Sequence, residues 1–435
     1  MMKKFLVIIA VLAMTMVSSV AMAEITFDGS VEFLMRSVRN TTDWNEKTTN
    51  AGDFTQTYER LRFGINAKHE GVKARIQMET DWDTWADGQT AASPNPGFET
   101  RPTNDFYPRE AWLDFQIPGA APAHVKVGRQ FLQLGNGWFF RSGKYGSDAW
   151  VVGLPGKNTV AFVNVKASEN ATSRADDTDA YVLLDTFKID DKNTVGAYIV
   201  HVKDRAGVWT NNAFFGGNTA QAKETTLDNL GLHYSGKVGP VNLMAELDFQ
   251  SGTIKSLPTA TMVTADTSYK IKGMQAVLQA NMSMDALAVR ATAAMGTGND
   301  PASTANEITE YLAFLDKDPH YTLVYEYFMV TAAGGKNTGF ANTTALSLGA
   351  DFKISKMFTV GADLWMLKAT EKVSINGDPA DTELGNELDV KFNVALYDQL
   401  SWNTTYGMFM PGKAYEAAAK ADNVTAWQSV LSYKF

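Results

Sequence analysis

The chain has 435 residues, with 39 Lys and Arg against 48 Asp and Glu, and no cysteine. Zero cysteines exclude a disulfide scaffold, thiolate metal sites and a thiol nucleophile. The acidic balance has the wrong sign for a nucleic-acid binder.

The first element in chain order is a basic pair, Lys3 and Lys4, followed by the apolar run from Phe5 to Val17. Ala21-Met22-Ala23 then forms a small-x-small site ahead of Glu24. That order reads as a cleavable secretory signal over residues 1–23, cut after Ala23. The run is too short and wrongly flanked for a spanning helix. Without its two lysines the remaining chain carries 37 basic and 48 acidic residues, a net charge of −11. No later apolar run approaches the roughly 20 residues of a transmembrane helix. A membrane-crossing chain of this kind must therefore cross as a closed β-barrel, in which every backbone group is paired.

From Val72 the residues Val72, Ala74, Ile76, Met78, Thr80 and Trp82 alternate with Lys73, Arg75, Gln77, Glu79, Asp81 and Asp83. Strict period two with one apolar and one charged face is a strand signature. Val241 to Gln250, Leu346 to Ile354 and Leu388 to Leu396 repeat it. Strands of about 10–12 residues match a tilted bilayer crossing better than the ~5–6 residues common in soluble sheets. Val72, Ile76, Leu243, Leu247, Phe392 and Val394 are expected on the lipid side.

Short connections, such as Glu70-Gly71, Leu154 to Lys157, Gly239 and Tyr397-Asp398, alternate with long polar stretches, such as 84–107 and 205–225. The fold class is thus all-β: residues 24–435 form one transmembrane antiparallel up-and-down barrel, with short periplasmic turns and long extracellular loops. Nine short turns, among them Asp316 to Pro319, suggest twenty strands, but the segments at 147–153 and 304–315 are weak and the chain length suits eighteen. The expectation is 18–20. Such a lumen is too wide for side chains to fill, so it holds an aqueous channel unless something plugs it.

The polar faces are where function is sought. If His69 pairs with Val72 across Glu70-Gly71, then Arg62 opposes Glu79, Arg60 opposes Asp81 and Tyr58 opposes Asp83. Arg36 and Arg75 fall on the same wall. Opposed charges in a pore orient solutes in a transverse field, or simply keep the wall wet and paired. No two of the five histidines have ligand spacing, Asp81-x-Asp83 lacks the rest of a calcium loop, and Gly135-x-Gly137 completes no phosphate loop. No metal, cofactor or Ser/His catalytic arrangement is indicated, so no enzyme is expected.

Two segments carry resemblances. Val125-Lys126-Val127-Gly128-Arg129-Gln130 followed by Leu134-Gly135-Asn136-Gly137 resembles the Gly-Arg-Gln strand and following loop of Gram-negative porins. Its continuation, Ser147 to Gly153 and Thr159 to Ala167, is similar to barrels of the alginate-export family. The resemblance implies an outer-membrane porin passing small hydrophilic solutes, set among outer-membrane lipid and lipopolysaccharide, and allows a homotrimer. It adds Arg129, Arg141 and Lys144 to the expected pore lining. In general porins the third outside loop folds into the lumen; here that loop, about 132–146, either constricts the pore or lies at the surface. At the chain end Trp427, Leu431, Tyr433 and Phe435 alternate, with Phe435 last. That pattern resembles the C-terminal signal read by the outer-membrane barrel-assembly machinery. Two other readings stay open: a substrate-specific channel or polysaccharide exporter, and a barrel that sheathes a periplasmic or electron-transfer partner.

Overall fold

A computed structural model describes residues 23–41, 53–80, 83–84, 106–119, 122–143, 146–169, 177–205, 222–256, 268–299, 306–315, 321–328, 339–373, 381–416 and 421–435. Nearly all of the expected signal segment lies outside these ranges, as do Asp81, Lys144 and Asp316 to Pro319.

Eighteen long antiparallel strands close a barrel. They are β1 (Glu24–Arg39), β2 (Phe54–His69), β3 (Val72–Glu79), β4 (Tyr107–Gln116), β5 (His124–Gln130) and β6 (Ser147–Leu154). Next come β7 (Asn158–Ser168), β8 (Thr178–Lys188), β9 (Thr194–Asp204), β10 (Ala222–Val238), β11 (Val241–Ser256) and β12 (Met274–Met284). The last six are β13 (Leu287–Gly296), β14 (Thr343–Lys353), β15 (Phe358–Val373), β16 (Asp381–Tyr397), β17 (Leu400–Pro411) and β18 (Val424–Lys434). Each pairs with its chain neighbour, and β18 closes onto β1 with Ser30 opposite Lys434 and Arg39 opposite Thr425. Closure leaves no free sheet edge, as a lipid setting requires.

Short turns gather at the end that holds Glu24 and Phe435. Glu70 and Gly71 both have positive φ (45° and 89°), the pair of left-handed residues that a two-residue hairpin of matching twist needs. The expected register follows, with His69 opposite Val72 and Arg62 opposite Glu79. In the 189–193 turn Asp190 accepts from Asn193 Nδ2 at 2.8 Å and from the Lys192 N–H at 2.7 Å. Those bonds, Asn193's first, hold its carboxyl below the ordinary range.

Alternate positions divide lipid from lumen. Outward-facing Phe27, Ile76, Ile199, Leu247 and Leu348 are 41–67 % exposed, while inward Glu79, Leu227, Glu246 and Asp248 are essentially inaccessible. Val72 and Leu247 are among the exposed apolar residues, as expected. Val394 shares the outward ladder but is only 3 % exposed, because it stands between Phe358 and Trp402, its partners on either side.

The strand number resolves at eighteen, and the described residues 306–315 build no hairpin in the barrel wall. Glu307–Ile308 makes a two-residue parallel pairing, and Tyr311 and Leu312, consecutive residues, are both buried. Two neighbouring buried side chains break period two, and the segment turns into the barrel instead.

Candidate functional site

Two of the long connections fold into the lumen. The first, loop A (131–146), is a small hairpin in which Leu134 N–H donates to Phe140 O and Ser142 N–H to Leu132 O. Leu134 and Phe139 bury against an unusually apolar lumen wall of Val163, Val165, Val182, Val200 and Val202. The loop's tip reaches across to β11 and β12. Gly135 (φ 53°) and Gly137 (φ 86°) let successive backbone N–H groups turn to one side, the geometry of an anion nest. The anion is the protein's own. Glu246 accepts from the N–H of Asn136, Trp138 and Phe139, the last two at 3.2 and 3.1 Å. A Cβ at Gly135 would lie 2.8 Å from that carboxylate. The Tyr198 hydroxyl sits 3.1 Å from Glu246 and 2.6 Å from Asp248, and Trp138 Nε1 donates to Gln279 at 3.1 Å.

The second, loop B, is described at 297–299, 306–315, 321–328 and 339–342, and those parts are held in the same way. Gln250 of β11 accepts the Leu312 N–H at 3.0 Å and donates to its carbonyl at 2.7 Å. Glu387 of β16 accepts the Val324 and Tyr325 N–H groups at 2.6 and 2.7 Å. Phe340 and Tyr325 bury among Trp365, Leu384 and Phe409. The two loops touch each other through Trp138 and Phe340, whose rings are 4.8 Å apart, and through a parallel pairing of Phe140–Arg141 with Phe314–Leu315. Loop A is therefore a lumen element and not a surface loop.

The charged wall lies on β1 to β4. Arg60 meets Glu32 at 2.7 Å, and Arg62 meets Glu79 and, at 3.8 Å, Glu32. Arg75 meets Asp28 at 2.6 Å and Glu110 at 2.7 Å, and Arg109 meets Glu79 at 3.0 Å. Glu79 has no exposed side-chain surface and also accepts from Tyr107 at 3.0 Å. These four arginines and four carboxylates cancel in net charge while leaving dipoles across the wall. Arg36 shares the inward parity and donates to Gln428 at 2.8 Å.

The remaining expected residues divide. Asp83 pairs in backbone register with Glu59, and Tyr58 with Thr84; a one-residue slip past Thr80 replaces the expected Tyr58–Asp83 pairing. Arg129 stands opposite Ala111 and Asp148 on the outward parity, with Trp150 two positions beyond Asp148 at 56 % exposure. Its guanidinium pairs with Asp148, which corrects its assignment to the pore lining. Arg141 lies exposed on loop A. Trp427, Leu431 and Tyr433 share the outward face of β18, and Phe435 is tied to Gly29 by two backbone bonds of 2.9 and 3.1 Å. A second charged group was not anticipated: Arg290 bridges Asp351 and Asp363, and Lys391 joins Asp363. It lines the lumen nearer the short turns.

A wide, closed barrel with charged inner walls and two loops folded into its lumen defines an outer-membrane channel. A family model described as Gram-negative porin matches residues 10–364, and the chain belongs to that family. Similar solved structures include OccK5 (OpdH) of Pseudomonas aeruginosa, with a TM-score of 0.53 and 11 % identity over 96 % of this chain and 99 % of that one. OccAB4 of Acinetobacter baumannii gives 0.55 and 9 % over 95 % and 98 %. OccK2 (OpdF) of P. aeruginosa, solved in complex with glucuronate, gives 0.53 and 9 % over 95 % and 96 %. At these identities the likeness establishes the fold. No curated protein sequence matches. The protein is thus an outer-membrane channel for small solutes.

Proposed function

We propose that the channel is a passive, weakly charge-selective porin in which loops A and B narrow the lumen against the wall of β1 to β4. The observation that carries this reading is the double latch, in which Glu246 of β11 holds the tip of loop A and Glu387 of β16 holds loop B within the barrel. Outside the loop-covered carboxylates Glu246, Asp248 and Glu387, charge balance on the open walls argues for weak selectivity. The four arginines and four carboxylates of β1 to β4, taken together, sum to zero, and so does the Arg290–Asp351–Asp363–Lys391 set, so the field across these walls is strong locally and small in sum. Arg36, Arg60, Arg62, Arg75 and Glu79 are the wall's contribution to the solute path, with Arg141 on the loop side. The channel performs no catalysis. Residues 1–23 direct export and are then cut off after Ala23, and Phe435 with the outward Trp427, Leu431 and Tyr433 is what the assembly machinery reads. Assembly as a homotrimer accompanies this reading.

The test is conductance of the purified barrel in planar bilayers with a panel of neutral, anionic and cationic solutes. The expected result is steady conduction without a partner protein and a reversal potential close to zero in a salt gradient. Glucuronate is included because one structural neighbour holds it. Block by glucuronate at micromolar concentration would replace this reading with that of a substrate-specific channel, and absence of conduction would replace it with a sheath.

A further inference from the structure

On β6 to β9 the lumen face carries no charge over two rungs of the sheet. Val151, Val163, Val182 and Val200 stand opposite one another across the four strands. Ala149, Val165, Ala180 and Val202 form the next rung toward the long loops. Both rungs hold small apolar side chains alone, whereas the lipid side of the same strands carries Trp150, Phe162 and Leu183. Such a wall cannot be left to water without cost, and loop A covers it with Leu134, Phe139 and Phe140. The cover does not close on the valines and alanines. Between them lies a cavity of about 140 Å³.

The lining decides what fits there. Its polar side chains are Gln133 and Thr178, and both are engaged. Gln133 Nε2 donates to Gly135 O at 3.3 Å, and the Thr178 hydroxyl donates to Asp204 at 2.7 Å. A bound water needs about two to four polar partners, more than these side chains leave. A charged group would shed its hydration with nothing to replace it. The apolar character is also local. Leu134 and Leu184 line this cavity and a second one of about 370 Å³, where Thr186, Thr194 and Ser235 take over.

Volume points to the occupant. An apolar cavity of ~150 Å³ that stays dry takes one benzene molecule, so the space under loop A is that of a single six-carbon ring. Phe139 and Phe140 bound it on the loop side and offer ring edges and faces to such a guest. We propose that the pocket between loop A and the β6 to β9 wall binds the ring of an uncharged monocyclic aromatic solute. The site is separate from the arginines of β1 to β4, which suit charged solutes and offer a neutral ring little. The proposal rests on the place of loop A in the lumen and not on the conduction proposed above.

The purified barrel in lipid nanodiscs is titrated with fluorobenzene and followed by fluorine NMR, with empty nanodiscs as the reference for solute dissolved in lipid. The wild type should show a saturable bound signal, and para-fluorobenzoate should bind roughly tenfold more weakly or not at all. Ala180→Leu fills the pocket from the middle of its wall and should abolish the signal. Val182→Thr keeps the shape but sets a hydroxyl against the ring, and should weaken binding several-fold. Lys166→Gln, on the outward face of β7, should bind like wild type. No signal beyond that of empty nanodiscs, benzoate held as tightly as the neutral ring, or an Ala180→Leu barrel that binds like wild type overturns the site. Should Ala180→Leu not fold, Val182→Thr decides, since unchanged affinity in it is equally fatal. Binding is read without current. A barrel that holds the ring but does not conduct sinks the porin reading alone, and one that conducts without holding it sinks this proposal alone.

Discussion

Glu246→Gln isolates the latch on loop A. The side chain keeps its shape, but one acceptor oxygen becomes an NH2 group facing a backbone N–H. Oriented to keep the Trp138, Phe139 and Tyr198 contacts, the amide sets its nitrogen against Asn136 N–H, so one bond is replaced by a donor facing a donor. A hydrogen bond to a charged group contributes about 1.5–3 kcal/mol, and the others lose their charge assistance. A combined loss of about 3 kcal/mol is roughly a hundredfold in the ratio of docked to released tip, at about 1.4 kcal/mol per factor of ten. Leu134 and Phe139 still bury in the valine wall, so the base of the loop stays and only the tip swings. Single-channel recordings in planar bilayers should show a flickering trace with excursions above the wild-type level. Glu387→Gln should do the same for loop B, because it removes half of the acceptor pair for Val324 and Tyr325. Traces identical in level and noise to wild type for both variants would refute the claim that these carboxylates hold the constriction.

Arg60→Ala with Arg62→Ala leaves Glu32 and Glu79 under-compensated, and salt-gradient reversal potentials at low ionic strength should move toward cation preference. Glu79→Ala should move them the other way, and no shift in either variant would mean that solutes do not pass this wall. Deleting Phe435 removes both backbone bonds to Gly29 and the ring that packs there. The yield of heat-modifiable folded barrel in outer membranes should fall several-fold while inserted channels conduct normally; an unchanged yield would remove the assembly role. Arg290→Ala strips Asp351 and Asp363 of a shared partner and should add cation preference at the short-turn end, read by blocking with a divalent cation added from that side.

The barrel was legible because lipid enforces period two on every strand at once. One wrong parity would turn a charge such as Arg75 into hydrocarbon, at about 2–4 kcal/mol near the midplane. Register was legible where a two-residue turn fixes it, as at Glu70-Gly71, and was lost past Thr80, where nothing local marks the slip. The outward placement of Arg129 was in fact readable, since Val125 and Val127 share its parity; the Gly-Arg-Gln resemblance concealed it. The strand count stayed open between eighteen and twenty at 304–319 because a polar turn signal looks alike in a wall hairpin and in an inward loop. Glu246 was visible as a polar-face residue of β11, yet its partners lie 107 to 110 residues earlier, beyond the reach of any spacing rule.

The two latches have a common physical reason. A loop folded into the lumen sets its backbone N–H groups against a wall whose carbonyls point along the sheet to pair neighbouring strands. A side chain that reaches inward from a strand position of lumen parity is the acceptor best placed to meet them. A carboxylate suits that role because its two oxygens accept several N–H bonds without donating any. The glycines at 135 and 137 supply the other half, since only left-handed backbone there aims successive N–H groups at one point. A nest that completes no phosphate-binding motif in the sequence is completed by Glu246 in the fold. An acid on the lumen parity of one strand, set against a Gly-x-Gly in a distant loop, is therefore the pair to look for when deciding whether a barrel's loop lies inside it.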